Sequence, residues 1–156
     1  MNLSKNLSLA EVTKSATAKR KGISNEPTIE HMENLKAVAK NIFQPIRDHF
    51  KVPIAVTSGY RSPALNQAIS GSPKSQHCKG EAIDIDCDVF SGLSNREVFE
   101  FIKDHLEFDQ LIYEFGDDKN PDWVHCSYKR EGRNRGEVLR AVRVNGKVRY
   151  EIYGNK

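Results

Sequence analysis

Two histidines and an aspartate, His77, Asp84 and His125, are the residues of this chain best suited to chemistry. Two imidazoles and one carboxylate make a three-ligand set for zinc that leaves the fourth position open, as a catalytic site requires. His77 and Asp84 lie in Ser75-Gln-His-Cys-Lys-Gly-Glu-Ala-Ile-Asp84, and His125 closes Asp122-Trp-Val-His125. Residues 82–86 alternate small or acidic side chains with apolar ones, as a half-buried strand does, so Ala82, Asp84 and Asp86 share a face. Val124 and Cys126 flank His125 in the same alternating way. A neighbouring strand would then aim His125 at Asp84 across a sheet, with Gly80 allowing the turn after His77.

With its surroundings the pattern becomes specific. Ser-x-His-x-x-Gly-x-Ala-x-Asp, preceded by Ser58-Gly-Tyr-Arg-Ser62 and followed by Asp122-x-x-His125, resembles the zinc D-alanyl-D-alanine peptidase family. That group includes D,D-carboxypeptidases, vancomycin-resistance D,D-dipeptidases and phage L-alanyl-D-glutamate endolysins. The resemblance runs over roughly residues 7–141. It implies a Hedgehog/D,D-peptidase-like fold, one zinc ion on His77, Asp84 and His125, and Asp122 as the acid that takes a proton from water and hands it to the leaving amine. It also implies Arg61 as stabiliser of the carbonyl oxygen. The permanent charge and fork of an arginine suit an oxyanion or a substrate carboxylate, and a salt bridge to a nearby acid is the structural alternative.

Around this centre, Ser75 and Trp123 are candidate pocket residues. Glu114 joins them if its strand neighbours that of His125, where it would bind substrate, orient a ligand histidine or simply face solvent. Glu81 is expected to be exposed. Asp86 and Asp88 continue the face of Asp84 and are a candidate calcium site or, more simply, a solvated strand edge. His31 and His49 fall outside any ligand pattern and read as solvated helix residues, and His105 as a helix-end residue favourable to the dipole.

The whole chain constrains the setting. Its 156 residues suit one domain, residues 1–156. The net charge of +3 and the lack of a recognition helix or stacking motif argue against a nucleic-acid partner. No apolar run reaches the length of a membrane span. The start, Met-Asn-Leu-Ser-Lys-Asn-Leu, lacks the apolar segment of a secretory signal, so the expectation is a monomer made in the cytoplasm that reaches the cell wall only if released, as a phage endolysin is. Cys78, Cys87 and Cys126 are odd in number with no Cys-x-x-Cys pair, which argues against a disulfide framework and a cysteine-zinc site. Cys126 is expected to pack opposite His125.

The elements that must position the site follow in order. Ser8-x-x-Glu11 is a capping box opening a short helix; residues 17–26, with Gly22, read as a loop. Apolar residues recur every three or four positions over residues 27–50, the main amphipathic helix, with Pro45 a kink or break. Residues 52–57 are β-rich. Ser62-Pro63 caps a helix over residues 64–69, and residues 70–75 form a loop. Ser94-x-x-Glu97 opens a helix to about His105 with Val98, Phe101 and Ile102 inward; residues 110–115 are a strand and residues 116–121 a turn. A basic stretch, residues 129–136, leads to a C-terminal hairpin over residues 138–153 around Asn145-Gly146. Helices first and strands later give an α+β class: a small antiparallel sheet with helices packed on it. The basic C-terminal region would attract an acidic peptidoglycan stem peptide, or merely solvate the hairpin. The function expected is hydrolysis of a peptide bond beside a D-amino acid in peptidoglycan, the rival being a non-catalytic zinc-stabilised binding module such as a phage tail component.

Overall fold

The computed structural model describes residues 1–90 and 92–154. The chain opens with a small hairpin, β1 (Asn2–Ser4) and β2 (Leu7–Ser8), that feeds α1 (Leu9–Thr13), where the Ser8 hydroxyl accepts the Glu11 N–H as the capping pattern requires. The stretch read as a loop holds a helix, α2 (Ala16–Lys21). Ser15 caps its start by accepting the Ala18 N–H, and Gly22, at φ 65°, closes it in the left-handed conformation. Gly22 is thus a helix stop, not an interruption. α3 (Ile29–Val38), a π-helical turn (Ala39–Phe43) and α4 (Gln44–Phe50) then run on continuously. The expected break at Pro45 does not occur: the wider turn, in which the Gln44 N–H donates to Ala39, shifts the ladder just where the proline can give no N–H.

The site is carried by a six-stranded sheet. Its strands are β3 (Val56–Ser58), β4 (Ala82–Ile85), β5 (Gln110–Glu114), β6 (Trp123–Ser127), β7 (Glu137–Val144) and β8 (Lys147–Ile152), in the order β3-β4-β6-β5-β7-β8. Neighbours are antiparallel except β5 and β7, which run parallel. The α+β class holds, but the main sheet is mixed where an antiparallel one was expected. Between the strands lie α5 (Pro63–Ala68), capped by Ser62, and α6 (Asn95–His105), whose Ser94–Glu97 capping box is complete.

One face of the sheet is the core. Ile83 and Ile85 of β4, Val124 and Cys126 of β6, and Leu111 and Tyr113 of β5 pack against Leu35, Val38, Ile42 and Ile46 of the long helix and Val98, Phe99 and Ile102 of α6. Burying each such side chain is worth roughly 1.5–3 kcal/mol. Val98 and Ile102 face inward as read in sequence, but Phe99, fully buried, takes the place expected of Phe101, which packs only partly and stacks with His49. Because strand side chains alternate, fixing this apolar set turns Asp84, His125, Ile112 and Glu114 to the opposite face.

Candidate metal centre

Asp84 of β4 and His125 of β6 are directly opposite in antiparallel register, which sets their side chains side by side on the polar face. His77 comes from a 3-10 turn (Gln76–Lys79) just before β4, started by Ser75 and ended by Gly80 at φ 73°. A side chain at Gly80 would meet the His31 carbonyl oxygen at 2.5 Å, so the turn that delivers His77 needs glycine both for its conformation and for its closeness to α3. His77 Nδ1 lies 2.6 Å from the Gly59 carbonyl oxygen. A carbonyl only accepts, so Nδ1 carries the proton and Nε2 presents its lone pair to the site. Gly59 in turn permits the approach of α1: a Cβ there would fall 2.5 Å from the Val12 oxygen.

The three ligand atoms converge. Asp84 Oδ1 is 3.3 Å from His77 Nε2 and 3.0 Å from His125 Nδ1, and His77 and His125 are buried. Burial would raise the Asp84 pKa, but the imidazoles of His77 and His125 beside it outweigh that and hold the carboxyl well below its usual range. Asp84 is therefore an anion facing a lone pair of His77, an arrangement relieved by a cation between them. Among the described residues these are the one cluster of His, Cys, Asp or Glu with metal-ligand spacing. The donor set fits zinc, with a position left for a reactant. Asp86 does not extend it: its Oδ1 accepts the Asp88 N–H at 3.0 Å and Asn95 Nδ2 at 3.1 Å, capping a short turn, so calcium gains no support.

The three candidate ligands line a cavity of about 730 Å³. Of the site residues expected from sequence, Arg61, Ser75, Glu114 and Trp123 line it. Arg61 Nη2 donates to Ser75 Oγ at 3.0 Å, and the Arg61 N–H donates to the His77 carbonyl, so the guanidinium is fastened beside a ligand. Its Nε is buried without a partner, and it forms no ion pair, among the described residues. Glu114 is buried on β5, whose Ile112 pairs with His125, so it does not face solvent. Burial pushes its carboxyl up to about 7, with His125 and Arg143 pulling the other way and Asp84 adding to the rise. Asp122 is different. It is exposed, lies outside the cavity lining, and is fixed through its backbone, its N–H donating to Glu114 and its carbonyl accepting Asn95 Nδ2 at 3.0 Å.

Several contributors carry no sequence signal of their own. Asp109, fully buried, accepts from Gln76, the neighbour of His77, at 2.9 Å and from both sides of the Arg135 fork at 2.8 and 3.0 Å. Buried Asn95 ties Cys87, Pro121 and Asp122 together and so sets the start of β6. Glu81 is half-buried in the cavity wall rather than exposed, and His31 bonds the Tyr60 hydroxyl at 3.1 Å rather than standing free in solvent. Cys126 packs in the core opposite His125, as its strand position implies.

Comparison with known proteins agrees with this geometry. No curated protein matches the chain. A family model described as Peptidase M15 matches residues 5–127, which include His77, Asp84, His125, Arg61 and Asp122. No helix among the described residues is long and apolar enough to cross a membrane. With His77, Asp84 and His125 gathered in the lining of one cavity and most of the chain matched, the chain belongs to the peptidase M15 family, the zinc-dependent metallopeptidases that act on peptidoglycan-type peptides.

Proposed function

We propose that this chain hydrolyses a peptide bond adjacent to a D-amino acid in peptidoglycan stem peptides, as a D,D-carboxypeptidase or an L-alanyl-D-glutamate endopeptidase of the endolysin type. The observation that carries the reading is the convergence of His77, Asp84 and His125 in the lining of a cavity that also holds Arg61. Zinc held by those three residues would supply Lewis acidity, polarising the scissile carbonyl and lowering the pKa of water to about 7. Arg61, with an unpaired buried N–H and a permanent charge, faces the carbonyl oxygen as negative charge grows there. Ser75 holds that guanidinium in place.

A carboxylate must move the water proton to the leaving amine. The resemblance to the family gives this role to Asp122, three residues before His125. A second assignment rests on position: Glu114 lines the cavity, and a carboxyl brought to about 7 is matched to proton transfer near neutral pH. The two are separated by zinc-loaded Asp122→Ala and Glu114→Gln, assayed on purified peptidoglycan and on synthetic L-Ala-D-Glu and D-Ala-D-Ala peptides by mass spectrometry, with zinc content measured in parallel. The wild type is expected to release one defined fragment, which names the bond. The variant that keeps zinc and loses turnover identifies the proton carrier. Zinc uptake without cleavage of any substrate by the wild type would replace this reading with a zinc-stabilised binding module.

A further inference from the structure

The C-terminal hairpin lies beyond residues 5–127, yet it builds one wall of the cavity. The register shows how. Trp123 of β6 pairs with Glu114 of β5, Glu114 with Ala141 of β7, and Ala141 with Tyr150 of β8, so these four side chains form one row across the polar face. Tyr150 stands at the outermost strand of that row, two strand spacings from Glu114, or roughly 10 Å. It nevertheless lines the same cavity as His77, Asp84 and His125. Only a side chain that leans inward across Ala141 can do so, and Ala141, a single methyl with no exposed surface, is what allows it to pass.

Tyr150 is also a poor fit to a structural role. It leaves 56% of its surface exposed, contributes nothing to the buried core, and its neighbours on the same face of β8, Val148 and Ile152, are exposed as well. Its phenol is kept protonated by partial burial and then by the Glu114 and Asp84 carboxylates that it approaches. A protonated phenol turned into a cavity is an amphipathic contact: an apolar ring and an O–H donor at its tip.

We propose that Tyr150 is a substrate-binding residue of the peptidase, its hydroxyl donating to a backbone carbonyl of the bound peptide on the Glu114 side of the scissile bond while its ring covers the adjoining side chain. The proposal rests on the peptidase reading above. Because the carbonyl it holds is not the scissile one, its contact is made equally in the bound peptide and in the transition state. Its loss therefore raises KM and leaves kcat unchanged.

The test compares zinc-loaded wild type, Tyr150→Phe and Tyr150→Ala on the peptide that the wild type cleaves, with zinc content and melting temperature as controls. Losing one neutral hydrogen bond, Tyr150→Phe is expected to raise KM about fivefold to tenfold with kcat unchanged; Tyr150→Ala, which also loses the ring, raises it further. A Tyr150→Phe enzyme with wild-type KM overturns the proposal, as does a loss confined to kcat. If the wild type cleaves no peptide, the peptidase reading fails on its own, and calorimetric titration of zinc-loaded protein with L-Ala-D-Glu-L-Lys and D-Ala-D-Ala decides this one. Weaker binding by Tyr150→Phe than by wild type upholds the contact, and equal binding or none in both overturns it.

Discussion

Two aspartates, the fully buried Asp109 just before β5 and the half-buried Asp84 within β4, have opposite surroundings. Asp109 faces a cation supplied by the chain: Arg135 grips both of its oxygens, the Arg135 N–H adds a third bond, and Gln76 a fourth. Asp84 faces two imidazoles, one of which must present a lone pair because its other nitrogen is bound to Gly59. The first carboxylate is satisfied and closed, and the second is completed only by a cation from outside. The difference separates an acid closed by the chain from one left open to a cation, and Gln76 joins them, since it hangs the His77 turn on Asp109.

The comparison breaks most visibly at the open end. His77→Ala removes one ligand of the three, and hydrolysis of the cleaved peptide is expected to fall at least about a thousandfold, the several kcal/mol that a Lewis acid contributes. Zinc content should fall with it. In the wild type, zinc at about a thousandfold excess over its Kd should stabilise the fold by about 4 kcal/mol, a rise of roughly 10 °C for a chain of this size. Calorimetry that shows the same rise in His77→Ala would mean the metal sits elsewhere.

At the closed end the effect is on stability alone and is smaller. Arg135→Ala leaves the Asp109 carboxylate buried with Gln76 and one backbone N–H. Because Arg135 is half-exposed, the full cost of breaking a buried pair does not apply, and denaturant titration should give a loss of about 2 kcal/mol. Zinc affinity should weaken only slightly, through the looser Gln76 contact. The pH dependence follows from the same bonds. Burial would raise the Asp109 pKa, but the bonds from Arg135 and Gln76 bring it down to about 2 from an unfolded value of 3.8. A depressed carboxyl gives stability that is complete above the unfolded value and is lost as pH falls through the folded one, so this contribution should disappear between about pH 4 and pH 2. In Arg135→Ala that acid limb should move up in pH.

How much of this could be read from residues alone differs between the two ends for a physical reason. His77, Asp84 and His125 have spacings and flanking alternation that carry their meaning locally, and one register, Asp84 opposite His125, suffices to bring them together. The capping pairs at Ser8, Ser62 and Ser94 and the Asn145-Gly146 hairpin are local in the same sense. Asp109 is not: its partners are 26 and 33 positions away, and nothing in the sequence around it marks an acid that will be buried. The parallel pairing of β5 with β7, which brings Leu139 and Tyr150 to the cavity, is equally non-local. α2 was obscured for a different reason, because a polar helix that ends at Gly22 has the composition of a loop.

The smallest effect sharpens the comparison most. Lys129 Nζ lies 3.8 Å from Asp109 Oδ1, near enough to count as a second cation, and its side chain is about a third exposed. If the Asp109 site were held by net charge, Lys129→Ala would cost a sizeable share of what Arg135→Ala costs. Geometry argues otherwise. The Arg135 fork occupies both oxygens along their lone pairs, whereas a half-solvated ammonium at that distance adds a screened attraction and loses side-chain entropy in keeping it. Lys129→Ala is therefore expected to cost no more than about 0.5 kcal/mol and to leave the acid limb of the stability curve unmoved. A loss near that of Arg135→Ala would mean that Asp109 responds to the whole cationic rim, and that closure there is a matter of charge, not of directed hydrogen bonds.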